Sequence, residues 1–182
     1  MDRPAALNIA WSCLLLVSVQ AADAAAGDAP VSNISTATLD QYRDQYGHSP
    51  LCTGDEITLW SCKTKTRIFS LCSSPSAARG TGYLQYRASS AGKLTLVYPA
   101  TKTAPAGLFK YSSYGNGNAS VEFSNMGYHY NLFDDLRGKS TIVVTAPGAS
   151  ARSTEISCGP NQTLQGNYTM RLMGEFGLYK DD

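Results

Sequence analysis

The stretch "GYHYNLFDDLRGK" gathers the side chains best suited to move protons: His129, Asp134, Asp135 and Arg137. A histidine beside a carboxylate is the base and orienting group of a hydrolytic site, and it needs a nucleophile within hydrogen-bond reach. On a strand His129 alternates with Tyr128 and Tyr130 and faces away from both. Asp134 and Asp135 fall where a turn is expected, a position Asp favours because its side chain bonds nearby backbone. The chain holds no G-x-S-x-G elbow, no H-E-x-x-H pair and no phosphate loop. Ser90-Ala-Gly-Lys93 fits S-x-x-K, but the partner motifs of that enzyme class are missing and the stretch reads as a hairpin turn. Glu56, Glu122 and Glu155 are the main strand-borne carboxylates. No catalytic set emerges, and a cell-envelope hydrolase centred on His129 and Asp134 stands as an alternative reading.

The cysteines are the other reactive groups. Cys52, Cys62 and Cys72 are spaced ten residues apart, and Cys158 follows far downstream. Zinc sites use close pairs such as C-x2-C so that two ligands reach one ion; here His48 stands alone before Cys52, and no metal is expected. A thiol nucleophile would need His48 or His129 as its base. Disulfides fit better, and strand geometry ranks the pairings. "CKTKTR" reads as a hairpin turn with Cys62 opposite Arg67 and Cys72 opposite Ile57. In that register Cys62 shares a face with Trp60 and Phe69, and Cys72 points to the other. A shifted turn puts both on one face but about 20 Å apart, against the roughly 4.4–6.8 Å that bridged Cα atoms allow. The expected set is therefore Cys52–Cys72 with Cys62–Cys158; the competing set, Cys52–Cys62 with Cys72–Cys158, stays open.

These residues must be carried by strands. Of 182 residues only 16% are charged, while Gly and Tyr are abundant, which favours strands and turns over surface helices. From Ile57 onward short apolar–polar runs alternate with Gly, Pro, Asn and Ser clusters about every ten residues, the rhythm of an all-β sandwich or barrel. Nine runs are read: 57–62, 67–72, 82–88, 94–98, 108–114, 119–124, 128–133, 141–146 and 154–158. The turns between them, "SSAGK", "YGNGN", "SNMG" and "DDLRGK", are too short for parallel crossovers. The expected fold is an antiparallel barrel or sandwich of eight or nine strands with two disulfides. Leu164, Tyr168, Leu172 and Phe176 at i+4 spacing add a short C-terminal helix against the sheet.

The start of the chain reads as a leader. Arg3 precedes "AALNIAWSCLLLVSV", an apolar run of roughly 15 residues, and small residues follow. Residues 1–22 are assigned to a signal peptide, 23–50 to a polar arm with Thr38 as a cap for "LDQYRDQY", and 51–182 to a single β domain. Cleavage removes Cys13 and leaves an even number of cysteines, as in exported proteins with disulfides. A net charge of +1 without like-charge runs gives nothing for nucleic acid to bind. The four sequons, at Asn33, Asn118, Asn161 and Asn167, are as common as chance allows in so Ser-, Thr- and Asn-rich a chain.

A binding surface is the remaining reading. "GYLQYR" puts Tyr83, Gln85 and Arg87 on one strand face, and Tyr and Arg favour interfaces because they join large contact area to polar tips. Tyr128, His129 and Tyr130 complete the candidate binding residues.

"WSCKTKTRIFSLCSS", "GYLQYR", "LTLVYPA", "FSNMGYHYNLFDD" and "TEISCG" together resemble a group of exported, uncharacterised proteobacterial proteins. The likeness spans Cys52 to Cys158 and implies a periplasmic or secreted protein. The chain is also similar to periplasmic C-type lysozyme inhibitors, small antiparallel barrels whose first-strand and last-strand cysteines pair, as Cys62 and Cys158 would here. The chain is much longer than those inhibitors and lacks their Ser-Gly-x-x-Tyr loop. The function expected is that of a non-enzymatic periplasmic or secreted binding protein, an inhibitor or immunity-type protein acting on a cell-wall hydrolase or toxin. No cofactor is expected. A small-ligand carrier using the barrel interior is a further alternative.

Overall fold

The computed structural model describes residues 33–76, 80–148 and 150–179; the expected leader lies outside them. Among the described residues nine strands form two antiparallel sheets. The first sheet is a meander of β1 (Ile57–Lys63), β2 (Arg67–Ser73), β3 (Leu84–Ser90) and β4 (Lys93–Tyr98). The second is a meander of β5 (Phe109–Ser113), β6 (Ala119–Asn125), β7 (Tyr128–Asp134), β8 (Thr141–Thr145) and β9 (Ser153–Ser157). Each sheet keeps its own edges, so the fold is a sandwich rather than a closed barrel. All nine sequence runs become strands, with ends moved by a residue or two.

Alternation explains the layers. In β6, Val121 and Phe123 turn into the core while Glu122 and Ser124 face out. β3 is buried along nearly its whole length: Leu84, Tyr86 and Ala88 enter the core, and Gln85, Arg87 and Ser89 lie buried on the opposite face. β1 carries a bulge between Thr58 and Trp60, and neighbouring Leu59 and Trp60 are both buried as a result.

The bulge and the turn correct the expected hairpin register. Cys62 stands opposite Phe69 and Cys72 opposite Thr58. The turn is closed by Thr64, whose backbone N–H donates to Arg67 O at 2.9 Å and whose hydroxyl accepts from Arg67 N. Cys62 and Cys72 still point to opposite faces, and each bonds elsewhere. Cys52–Cys72 and Cys62–Cys158 are the two disulfides, with Cα atoms 5.4 and 5.3 Å apart. The competing set is excluded. Cys62–Cys158 joins the first strand to the segment leaving the last, across the sandwich.

The described part of the polar arm, 33–50, packs against the C-terminal helix. Thr38 caps α1 (Leu39–Tyr42) with a reciprocal capping box through Gln41. Ala37 is buried, and Tyr46 packs edge-on against Tyr168 and bonds the Thr169 hydroxyl at 2.8 Å. Its partner is α2 (Asn167–Phe176), the expected C-terminal helix, on which Tyr168, Leu172 and Phe176 are buried beside Leu164 from the preceding turn. Gly177, at φ 70°, ends α2, and Leu178 O then accepts from Tyr111 N at the outer edge of β5.

Candidate functional site

The "GYLQYR" face is a brace, not an open surface. Gln85 and Arg87 are 3% and 7% exposed. Arg87 grips Glu56 with both terminal nitrogens, at 2.6 and 2.7 Å, and also donates to Leu51 O and Gln85 Oε1. Glu56 further accepts from Tyr83 Oη at 2.8 Å, Thr53 N at 2.7 Å and Lys102 Nζ at 2.9 Å. Burial pushes the Glu56 carboxyl up, but Arg87, Thr53, Lys102 and Tyr83 outweigh it and hold the group well below the usual carboxylate range. The Lys102 ammonium also lies 4.6 Å from the centre of the Tyr83 ring. Arg87, Tyr83, Thr53 N and Lys102 converge on this one carboxylate, so the group ties the Cys52 loop to β3 and the loop after β4.

His129 and Asp134 are not brought together. Five residues apart on β7, they face opposite sides of the sheet. Asp134 ends the strand rather than sitting in the turn, and it is buried under Trp60, Ser140 and Leu164 N, all of which donate to it. Asp135 sits in the turn, accepting from Arg137 N at 3.0 Å, and Asn118 Oδ1 accepts from Leu136 N there. Ser90 and Lys93 pair across the β3–β4 turn, as the hairpin reading requires. Among the sequons, the Asn161 and Asn167 amides donate to Ser61 O and Tyr42 Oη.

What His129 does meet is set by the β6–β7 hairpin. Met126 and Gly127, at φ 50° and 82°, make a two-residue turn that pairs Asn125 with Tyr128. Ser124 then stands across from His129 and Glu122 across from Asn131, all on the outer face. His129 Nε2 lies 4.0 Å from Glu122 Oε2, and Lys110 of β5 faces Glu122 from the other side. Serine, histidine and glutamate thus sit within one hairpin, but no hydrogen bond joins Ser124 to His129 among the described residues. A nucleophile without its base is not an assembled acyl-transfer site.

These side chains border a notch of 410 Å³ where the β6–β7 hairpin runs past the start of β5. Tyr98, Leu108 and Phe123 supply its apolar side. Phe123 is clamped between two parallel rings, Tyr98 at 4.8 Å and Tyr130 at 4.7 Å, so this aromatic wall is rigid. Tyr130 is therefore half-buried in the wall, while Tyr128 stays exposed near the hairpin tip. Sequence reasoning picked out His129 and named Glu122 but missed Tyr98, Lys110, Phe123 and Ser124. The signal was available in the "SNMG" turn, whose two-residue loop dictates the Ser124–His129 pairing.

Among the described residues no group of three or more His, Cys, Asp or Glu side chains is placed to hold a metal ion. No described helix is long and apolar enough to cross a membrane. No protein-family model matches the chain, and no match was found among curated proteins or solved structures.

Proposed function

We propose that the chain is a non-enzymatic binding protein of an oxidising, extracytoplasmic compartment, and that its notch docks a side chain or loop of another protein, a cell-wall hydrolase or toxin being the class of partner. The observation that carries this reading is how the polar groups are divided. Glu56, Arg87 and Asp134 are committed to bonds inside the fold, whereas Lys110, Ser124 and His129 remain exposed beside the clamped Tyr98–Phe123–Tyr130 wall. Half-buried Tyr98 and Leu108, backed by the buried Phe123 and flanked by accessible charge, offer contact at low ordering cost. The two disulfides suit such a scaffold and such a compartment. The resemblance to exported bacterial proteins points the same way.

The test compares wild-type protein with a Lys110→Glu/His129→Ala variant as bait in periplasmic and competitor extracts. One partner retained at stoichiometric level by wild type and lost by the variant supports the reading. Peptidoglycan turnover that disappears in His129→Ala would replace it with the hydrolase reading.

A further inference from the structure

Beside the start of α2 lies a second pocket, of 520 Å³, with no ionisable side chain in its lining. Gln45, Asn161, Gln162, Thr163 and Gln165 supply its polar groups, and Leu136, 38% exposed, lies among them. Several of these groups already serve the fold. Asn161 donates to Ser61 O at 2.8 Å and accepts from the Thr163 backbone and hydroxyl at 3.1 and 2.9 Å. Gln162 donates to Leu136 O at 2.6 Å. Gln165 is different: both the oxygen and the nitrogen of its amide are buried, and neither has a partner among the described residues.

A buried amide with both atoms unpaired calls for an explanation, because such groups are almost always bonded. Turning this amide toward a molecule in the pocket would break no existing bond. The backbone beside it lets Tyr46 and Gln45 approach closely. At Gly166 a Cβ would come within 3.0 Å of the Tyr46 hydroxyl and 3.6 Å of Gln45 Oε1.

We propose that this pocket binds a neutral, hydroxyl-rich ligand, an uncharged di- or trisaccharide, with Gln165 and Gln45 as its hydrogen-bonding residues. A carboxamide presents a donor and an acceptor side by side, and adjacent sugar hydroxyls, each both donor and acceptor, complement that pair. A phosphate or carboxylate would lose its water here without gaining a counter-charge. Leu136 offers an apolar surface to the C–H face of a sugar ring. The volume lies within the roughly 300–1,000 Å³ of small-molecule sites.

The experiment titrates isotope-labelled protein with maltotriose, cellotriose and tri-N-acetylchitotriose, and in parallel with the uncharged peptide acetyl-triglycine amide, following side-chain amide resonances by NMR. One of the sugars shifts the Gln165 and Gln45 amide signals saturably. Its affinity stays flat between about pH 5 and 9, because no lining group titrates there. Gln165→Leu weakens binding at least ~10-fold, while its melting temperature stays level or rises because no native bond is lost. Gln45→Ala, at an exposed position, weakens binding without touching the core and serves if Gln165→Leu misfolds. The proposal is overturned if no sugar shifts those resonances saturably, if Gln165→Leu or Gln45→Ala binds as wild type does, or if only the peptide binds.

Discussion

Trp60 of β1 donates its indole N–H to Asp134 of β7 at 2.7 Å, joining the two sheets through side chains 74 positions apart in the chain. Both residues are buried, and Asp134 also receives Ser140 Oγ and Leu164 N. Burial pushes the Asp134 carboxyl up from its ordinary value, and the three donors oppose that rise. Trp60→Phe keeps an aromatic ring but removes the indole donor and some buried volume, and should cost about 1–3 kcal/mol in denaturant unfolding. With a donor gone the folded-state pKa rises further above the unfolded value. Stability is then lost as pH climbs through that range, so the deficit of the variant should grow as pH rises above the ordinary carboxylate range.

Glu56 gives the opposite sign. Its folded-state pKa lies below the unfolded value, so its contribution is complete above the unfolded pKa of 4.5 and is lost as pH falls beneath it. Wild type should lose stability steadily on acidification from about pH 5 to about pH 2, and Glu56→Gln should flatten that slope. Arg87→Met, which leaves the buried carboxylate facing only Lys102 as a cation, should cost about 3 kcal/mol at neutral pH. Urea unfolding across a pH series checks both.

The two disulfides should rank by the loops they close. Cys62–Cys158 spans 96 residues and Cys52–Cys72 spans 20. Chain entropy then gives about 4.7 kcal/mol for the first and about 3 kcal/mol for the second. Paired Cys→Ala variants, unfolded separately in guanidinium chloride, should show the larger loss for Cys62/Cys158.

Met126 holds φ 50° at the β6–β7 turn and is 89% exposed. A side chain of that kind gains nothing from burial there and sits poorly in left-handed backbone. Met126→Asn creates the Asn-Gly pair that such turns favour and should stabilise the protein by about 0.5–1 kcal/mol. Denaturant midpoints at unchanged slope would confirm it.

Strand rhythm made the nine strands legible, because each strand has one buried face and each turn carries its own chemistry. Alternation and strand reach together removed Cys62–Cys72 and put the observed pairs first, but they left Cys52–Cys62 with Cys72–Cys158 open until the packing excluded it. The register itself was not, because the Leu59 bulge leaves no mark that separates it from ordinary alternation. Gln85 and Arg87 were misread for a related reason: polar residues alternating with apolar ones look solvent-facing, and only the packed loop bearing Leu51 and Glu56 buries them. The ordering of residues 33–50 depended on α2, more than a hundred positions away, through Tyr46 and Thr169. The notch was half legible. Its His129–Ser124 pairing follows from a two-residue turn, but its aromatic wall needs Tyr98 from the other sheet.

The most direct measurement places a photo-crosslinking residue at Ser124, on the exposed rim of the notch, and exposes the folded protein to periplasmic and competitor extracts. A binding protein acting through the notch yields one dominant crosslinked protein, whose capture is competed by unlabelled wild type and not by Lys110→Glu/His129→Ala. No dominant adduct, or one competed equally by the variant, would contradict docking at this site.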